Sequence, residues 1–132
     1  MTPAREWSIG PRHHFRLEEP GVLWLKVRGE TTLEDAHGTV ATYRELGTRK
    51  PFVFVADITE ATSLSREARR YSARHLRAEW FRDVAYIGAR PGMKVLLRVR
   101  FFLLSLLRGS SARVFFFGTE AAARAWLGQG SR

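Results

Sequence analysis

Polar and apolar residues alternate from His13 to Leu17 and again from Val22 to Arg28, with Pro20-Gly21 turning the chain between them. Side chains of a strand point alternately to opposite faces, so Phe15, Leu17, Leu23, Leu25 and Val27 share one covered face of a hairpin. Gly29 marks its end. The apolar spacing then changes to three and four residues: Leu33, Ala36, Val40 and Tyr43 line one side of a helix running up to Gly47. Thr31 and Glu34 have the spacing of a capping box, which places the helix start there.

Pro51 opens Phe52-Val53-Phe54-Val55-Ala56, an apolar run that stops at Asp57. A strand with no polar face is covered on both sides, so this one is expected at the centre of the sheet. Ser65 is placed to cap a second helix reaching about Trp80, with Leu64, Ala68, Tyr71, His75 and Ala78 facing inward. Val84-Ala85-Tyr86-Ile87 reads as the next strand and Gly88 to Gly92 as the loop after it. Met93 to Arg108 reads as a third helix, halted by Gly109-Ser110-Ser111. Val114-Phe115-Phe116-Phe117 is a fifth strand, and Thr119 caps a short last helix containing Ala122, Trp126 and Leu127. The order β-β-α-β-α-β-α-β-α predicts an α/β fold: a mostly parallel five-stranded sheet, its first strand antiparallel, with about four helices.

At 132 residues the chain suits one domain, 1–132, and 45% hydrophobic residues are ample for its core. The absence of cysteine excludes thiol nucleophiles, zinc–thiolate sites and disulfides. Met1 to Gly10 lacks the apolar core of a signal peptide, so a cytoplasmic location is expected. Charge is unevenly spread. Residues 1–65 carry 8 Lys/Arg against 9 Asp/Glu, whereas residues 66–132 carry 14 against 4. Nineteen of the 22 basic residues are arginine, a compositional bias that explains Arg over Lys but not the clustering. The asymmetry points to an anionic partner.

The element order, the pattern around Trp7-Ser8-Ile9-Gly10, and Val53-Phe54-Val55-Ala56-Asp57 together resemble a known family. Ser65-Arg66-Glu67-Ala68-Arg69 opening the second helix, and Val114-Phe115-Phe116 followed by Ala125-Trp126-Leu127, extend the likeness over nearly the whole chain. It resembles the small STAS-like (SpoIIAA-like) domains, whose bacterial members are also described as STAS/SEC14-like. The resemblance implies a regulatory, protein-binding module without chemistry of its own. In the antagonists of that family a serine in an Asp-Ser-Ser-Gly loop after the central strand is phosphorylated to break partner binding. Here the corresponding stretch, Asp57 to Ser65, lacks that tetrapeptide, which puts the phosphoswitch in doubt. Asp57, Ser63 and Ser65 stand as the candidate partner loop, Ser65 reading foremost as a helix cap.

Little else invites catalysis. His13 and His14, adjacent on a strand, point to opposite faces and cannot share a metal. His75 falls on an apolar helix face, and the Gly88–Gly92 loop lacks a phosphate-binding pattern, with Lys94 isolated after it. No nucleophile elbow or carboxylate pair accompanies these residues, so no enzyme, metal or cofactor is expected. Arg66, Arg70, Arg74 and Arg77, in contrast, follow helical steps of four, four and three and form a candidate anion-binding ridge. On the third helix, Val95, Leu96, Val99, Phe102, Leu103, Leu106 and Leu107 supply a wide core face. Leu97, Phe101 and Leu104 then form a second, outward strip bordered by Lys94, Arg98, Arg100 and Arg108. Unless another segment covers it, such a strip needs a partner: a protein, which includes a second copy of the chain, or an anionic membrane surface at the inner leaflet. Nucleic acid ranks lower, because no aromatic residue interleaves the ridge as a stacking platform.

Overall fold

The computed structural model describes residues 5–19, 21–108 and 113–130, with backbone only at 101, 104–108 and 130. Its strands are β1 (Arg5–Ile9), β2 (His13–Glu18), β3 (Val22–Thr31), β4 (Phe52–Leu64), β5 (Phe81–Ile87) and β6 (Arg113–Phe117). Its helices are α1 (Leu33–Arg49), α2 (Arg66–His75), α3 (Pro91–Arg108) and α4 (Glu120–Gly130), with a 3-10 turn at Ala78–Trp80. The strands lie in sequence order, β1-β2-β3-β4-β5-β6. β1, β2 and β3 pair antiparallel; β3 to β6 run parallel. The fold is the mixed α/β architecture expected from the sequence, with a sixth strand. β1 was missed because Arg5-Glu6-Trp7-Ser8-Ile9 is mostly exposed and offers only Trp7 and Ile9 to the core.

Period-two patterning held in the hairpin. Phe15 pairs Leu25 and Leu17 pairs Leu23, all on the face that α1 covers. The apolar run of β4 divides as a two-sided strand must. Phe52, Phe54 and Ala56 enter the core under α1, while Val53 and Val55 enter the core on the opposite face beside α4. Tyr43 of α1 is the hub of the first core, with ring centroids 5.0 Å from Phe54, 5.5 Å from Phe81 and 6.2 Å from Phe15. Gly47 lets α1 close on the 3-10 turn, since a Cβ there would overlap Trp80. On the opposite face, Phe115 and Phe117 pack on Trp126 of α4. Glu18 fastens α4 to the hairpin: it accepts from Trp24 Nε1 (3.0 Å) and from Arg124 Nη1 and Nη2 (3.3 and 3.2 Å).

Several boundaries differ from the sequence reading. The capping box of α1 is Thr32 with Asp35, one residue beyond Thr31 and Glu34. Thr31 instead ends β3, because a register shift at Gly29, whose φ is +85°, carries the strand two residues further. The larger correction concerns the expected loop. β4 continues through Asp57 to Leu64 and pairs β3 at Arg28↔Glu60, Gly29↔Ala61, Glu30↔Ser63 and Thr31↔Leu64. β3 and β4 thus extend together as a ribbon whose polar composition hid it. α2 stops at His75, five residues short of Trp80, and Arg77 leads into the 3-10 turn.

Candidate functional site

The extended ribbon, β2 and β5, and helices α1, α2 and α3 enclose a cavity of about 160 Å³ on the α1 side of the sheet. Its walls are mainly apolar, from Leu25, Val27, Phe54, Ala56, Leu76 and Leu97. Thr31, Thr39, Ser72, Tyr43, Tyr86, His13 and Arg100 bring polar groups to it. Burial there raises the Tyr86 phenol to about 12 and pushes Tyr43 up as well, with the Arg100 charge opposing both shifts.

Two polar atoms in this region are buried and lack hydrogen-bond partners: His13 Nδ1 and Arg100 Nη2. His13 is 2% exposed; its Nε2 bonds Thr31 Oγ1 at 2.9 Å, while Asp35 Oδ2 stands 3.9 Å from Nδ1. Desolvation holds the imidazole below its ordinary pKa, the Asp35 charge opposing it and Arg12 reinforcing it. Arg100 has no carboxylate partner among the described residues. A guanidinium cannot discard its proton, so burying part of one without a counter-charge is costly.

The helix carrying Arg100 is rotated relative to the sequence reading. Leu97, expected outward, packs against the core, and Met93, Leu97 and Arg100 face the cavity. Val95, Leu96, Val99, Phe102 and Leu103, expected as core, are exposed; Val95 is 64% and Phe102 62% accessible. The side chains of Phe101, Leu104, Leu106, Leu107 and Arg108 lie outside the described residues. In this orientation α3 meets β6 through two cations: Lys94 Nζ and the Arg98 guanidinium sit over the Phe116 ring at 5.9 and 5.0 Å. Phe116 itself stacks on Tyr86 at 6.0 Å. Arg100, expected at the border of an exposed strip, lines the cavity instead.

Three arginines of the expected ridge, Arg66, Arg70 and Arg74, lie on α2, whereas Arg77 falls past its end in extended backbone. Arg66, Arg70, Arg74 and Arg77 are all exposed and make no ion pair among the described residues. Ala68 is the one fully buried residue of this helix. His75, expected inward, is exposed and lies 4.3 Å from the Tyr71 ring, which in turn meets His37 at 4.2 Å. The remaining candidates are engaged locally. Asp57 Oδ1 accepts the Thr59 amide (3.0 Å) and hydroxyl (2.7 Å), Ser63 Oγ donates to Glu30 Oε2 (3.3 Å), and Ser65 Oγ caps α2 by accepting Ala68 N–H (3.1 Å). Gly88, at φ +78°, lets β5 end against Thr59, where a Cβ would overlap it. His13 and His14 point to opposite faces as expected, His14 joining Ser8 and Glu6. No cluster of three metal-ligating side chains occurs among the described residues, and no helix among them is long and apolar enough to cross a membrane.

Sequence reasoning missed the cavity and the exposed stripe. One signal was present: Met93, Leu97 and Arg100 keep steps of four and three, which puts an arginine on the narrower apolar strip.

Solved structures share this architecture. A crystal structure of an uncharacterised protein of the DUF3478 family from Shewanella loihica PV-4, described as having a SpoIIAA-like fold, matches with TM-score 0.64 and 22% identity, over 96% of this chain and 98% of that one. The anti-sigma factor antagonist SpoIIAA in its unphosphorylated form matches with TM-score 0.63 and 11% identity, over 89% of this chain and 98% of its own. No curated protein matches. The profile of the family described as "Domain of unknown function (DUF7793)" matches residues 15–130, from the second strand to the last helix. With its six-stranded SpoIIAA-like sheet, the chain belongs to the DUF7793 family.

Proposed function

We propose that this domain is a non-catalytic, STAS-type regulatory module that binds a protein partner through the surface of α2 and α3. The observation that carries this reading is the α3 stripe. Val95, Leu96, Val99, Phe102 and Leu103 occupy steps of one, three, three and one, so a single surface can cover all five. Exposed apolar stripes on helices are what grooves and facing helices bury. The unpaired arginines of α2 call for acidic groups, so the partner is a protein with acidic residues flanking an apolar patch. Asp57, Ser63 and Ser65 belong to strand and cap, which moves the proposed contact from that segment to the helices. SpoIIAA, of the same shape, is named as an anti-sigma factor antagonist, and a role in regulation by contact is the one carried over here.

The test uses three variants: Val99→Asp, Arg70→Glu with Arg74→Glu, and the surface control Lys50→Glu. A protein that co-purifies stoichiometrically with the wild type should be lost from the first two and kept by the control, with circular dichroism unchanged throughout. Two other outcomes overturn the reading. A wild-type homodimer in light scattering that Val99→Asp turns into a monomer would make a second copy the occupant. Flotation with phosphatidylglycerol vesicles that Val99→Asp abolishes would make it a leaflet.

A further inference from the structure

The α3 stripe accounts for the outside of that helix and leaves its inner side unexplained. There, Arg100 lines a cavity whose walls are mainly apolar, and its Nη2 is buried without an acceptor. His13, 2% exposed, lines the same cavity and also carries an unpartnered nitrogen. A cation at the edge of an apolar chamber, with no carboxylate supplied by the described residues, is complementary to an anion that brings its own apolar body. The volume, about 160 Å³, is close to that of engineered cavities of about 150 Å³ that take up benzene. Tyr43, Tyr86 and Ser72 add hydroxyl groups that can donate to the same head group or orient it.

We propose that the cavity binds a small amphiphilic anion, a short alkyl chain or single ring ending in a carboxylate or phosphate, with its head on Arg100 and its body among Leu25, Phe54, Leu76 and Leu97. A guanidinium matches either head bidentately, and it does so best where water is excluded. The cavity is walled by both α2 and α3, so its occupant sits directly beneath the two helices whose outer surfaces are exposed. This inference does not depend on the partner: the ligand site is internal to one chain.

Calorimetric titration of the intact protein, paired with thermal melting, tests the proposal. The probes are octanoate, octyl phosphate, 1-octanol, acetate and inorganic phosphate. One of the two octyl anions should bind saturably at one per chain and raise the melting temperature, the preferred one identifying the head group. 1-Octanol should bind at least about tenfold more weakly, as expected for loss of a charge-assisted contact, and acetate and phosphate should not bind. Arg100→Leu should reduce the anion to the 1-octanol level without lowering stability, since replacing a partly buried, unpaired charge by an apolar group is commonly neutral or stabilising. Ser72→Leu, which fills the chamber from α2, should exclude every octyl probe. Equal affinity for octanoate, octyl phosphate and 1-octanol in the wild type overturns the proposal. So does binding that survives both Arg100→Leu and Ser72→Leu, or binding at several per chain that Val99→Asp removes, which would place the probe on the outer stripe. Should Arg100→Leu fail to fold, Arg100→Lys and the wild-type preference between anion and alcohol decide the matter.

Discussion

Helices α1 and α3 cover the same face of one sheet, yet they meet it in opposite ways. α1 buries Ala36, Val40 and Tyr43 and turns Glu34, His37, Arg44 and Glu45 outward. α3 turns Val95, Leu96, Val99, Phe102 and Leu103 outward and an arginine inward. Burial of apolar area drives folding, so α1 is a finished part of the core. α3 is only half so: Leu97 packs inward beside the partly buried Arg100, while most of its described apolar residues lie outside. The domain thus packs one helix around Tyr43 and leaves the apolar stripe of the other exposed.

The largest effect that would sharpen this contrast is on α1. Tyr43→Ala removes the hub of five aromatic rings and should cost about 3–5 kcal/mol, read as a fall in the urea midpoint with the slope unchanged. A cost near zero would mean that the core under α1 is as open as the space under α3.

The next is a pH effect at the N-terminal end of α1. Burial depresses the His13 pKa below the ordinary 6.5, so as pH falls the unfolded chain takes up the proton first. The associated stability is complete above about 6.5 and is lost as pH falls through the folded value, at about 1.4 kcal/mol for each unit of depression. The urea midpoint should therefore drop between pH 7.5 and 5.5, and His13→Gln should flatten that slope. Glu18, though burial opposes it, is held below 4.5 by Arg124, Arg16 and Trp24, so its contribution is lost at lower pH. A profile equally steep in His13→Gln would assign the titration elsewhere.

The smallest effect is the complement of the first. Phe102→Ala, on the exposed stripe, should change stability by less than about 0.5 kcal/mol, although a phenylalanine is being truncated. A loss comparable to that of Tyr43→Ala would show that α3 is core after all, and the contrast between the two helices would collapse.

Where one face of an element was clearly apolar, the chain announced its structure. Phe15, Leu23, Leu25 and Val27 on the hairpin, Ala36, Val40 and Tyr43 on α1, and the unbroken run of β4 all fell where local periodicity placed them. The ribbon from Ile58 to Leu64 did not, because Thr59, Glu60, Thr62 and Ser63 look like loop residues and become strand only by pairing with β3. The site was the least legible part.

What the sequence alone determined is which residues share a face, since that depends only on the repeat of helix and strand. It determined the order of elements from β2 onward, the two-sided central strand, the Ser65 cap and the three arginines that share α2, Arg66, Arg70 and Arg74. Tertiary structure decided which face of α3 turns inward. With apolar residues on both sides, periodicity favours neither orientation; in the folded chain Leu97 meets the core, Lys94 and Arg98 lie over the Phe116 ring of β6, and Arg100 lines the cavity. Such an orientation is set by contacts between residues distant in the chain, and no periodicity records them.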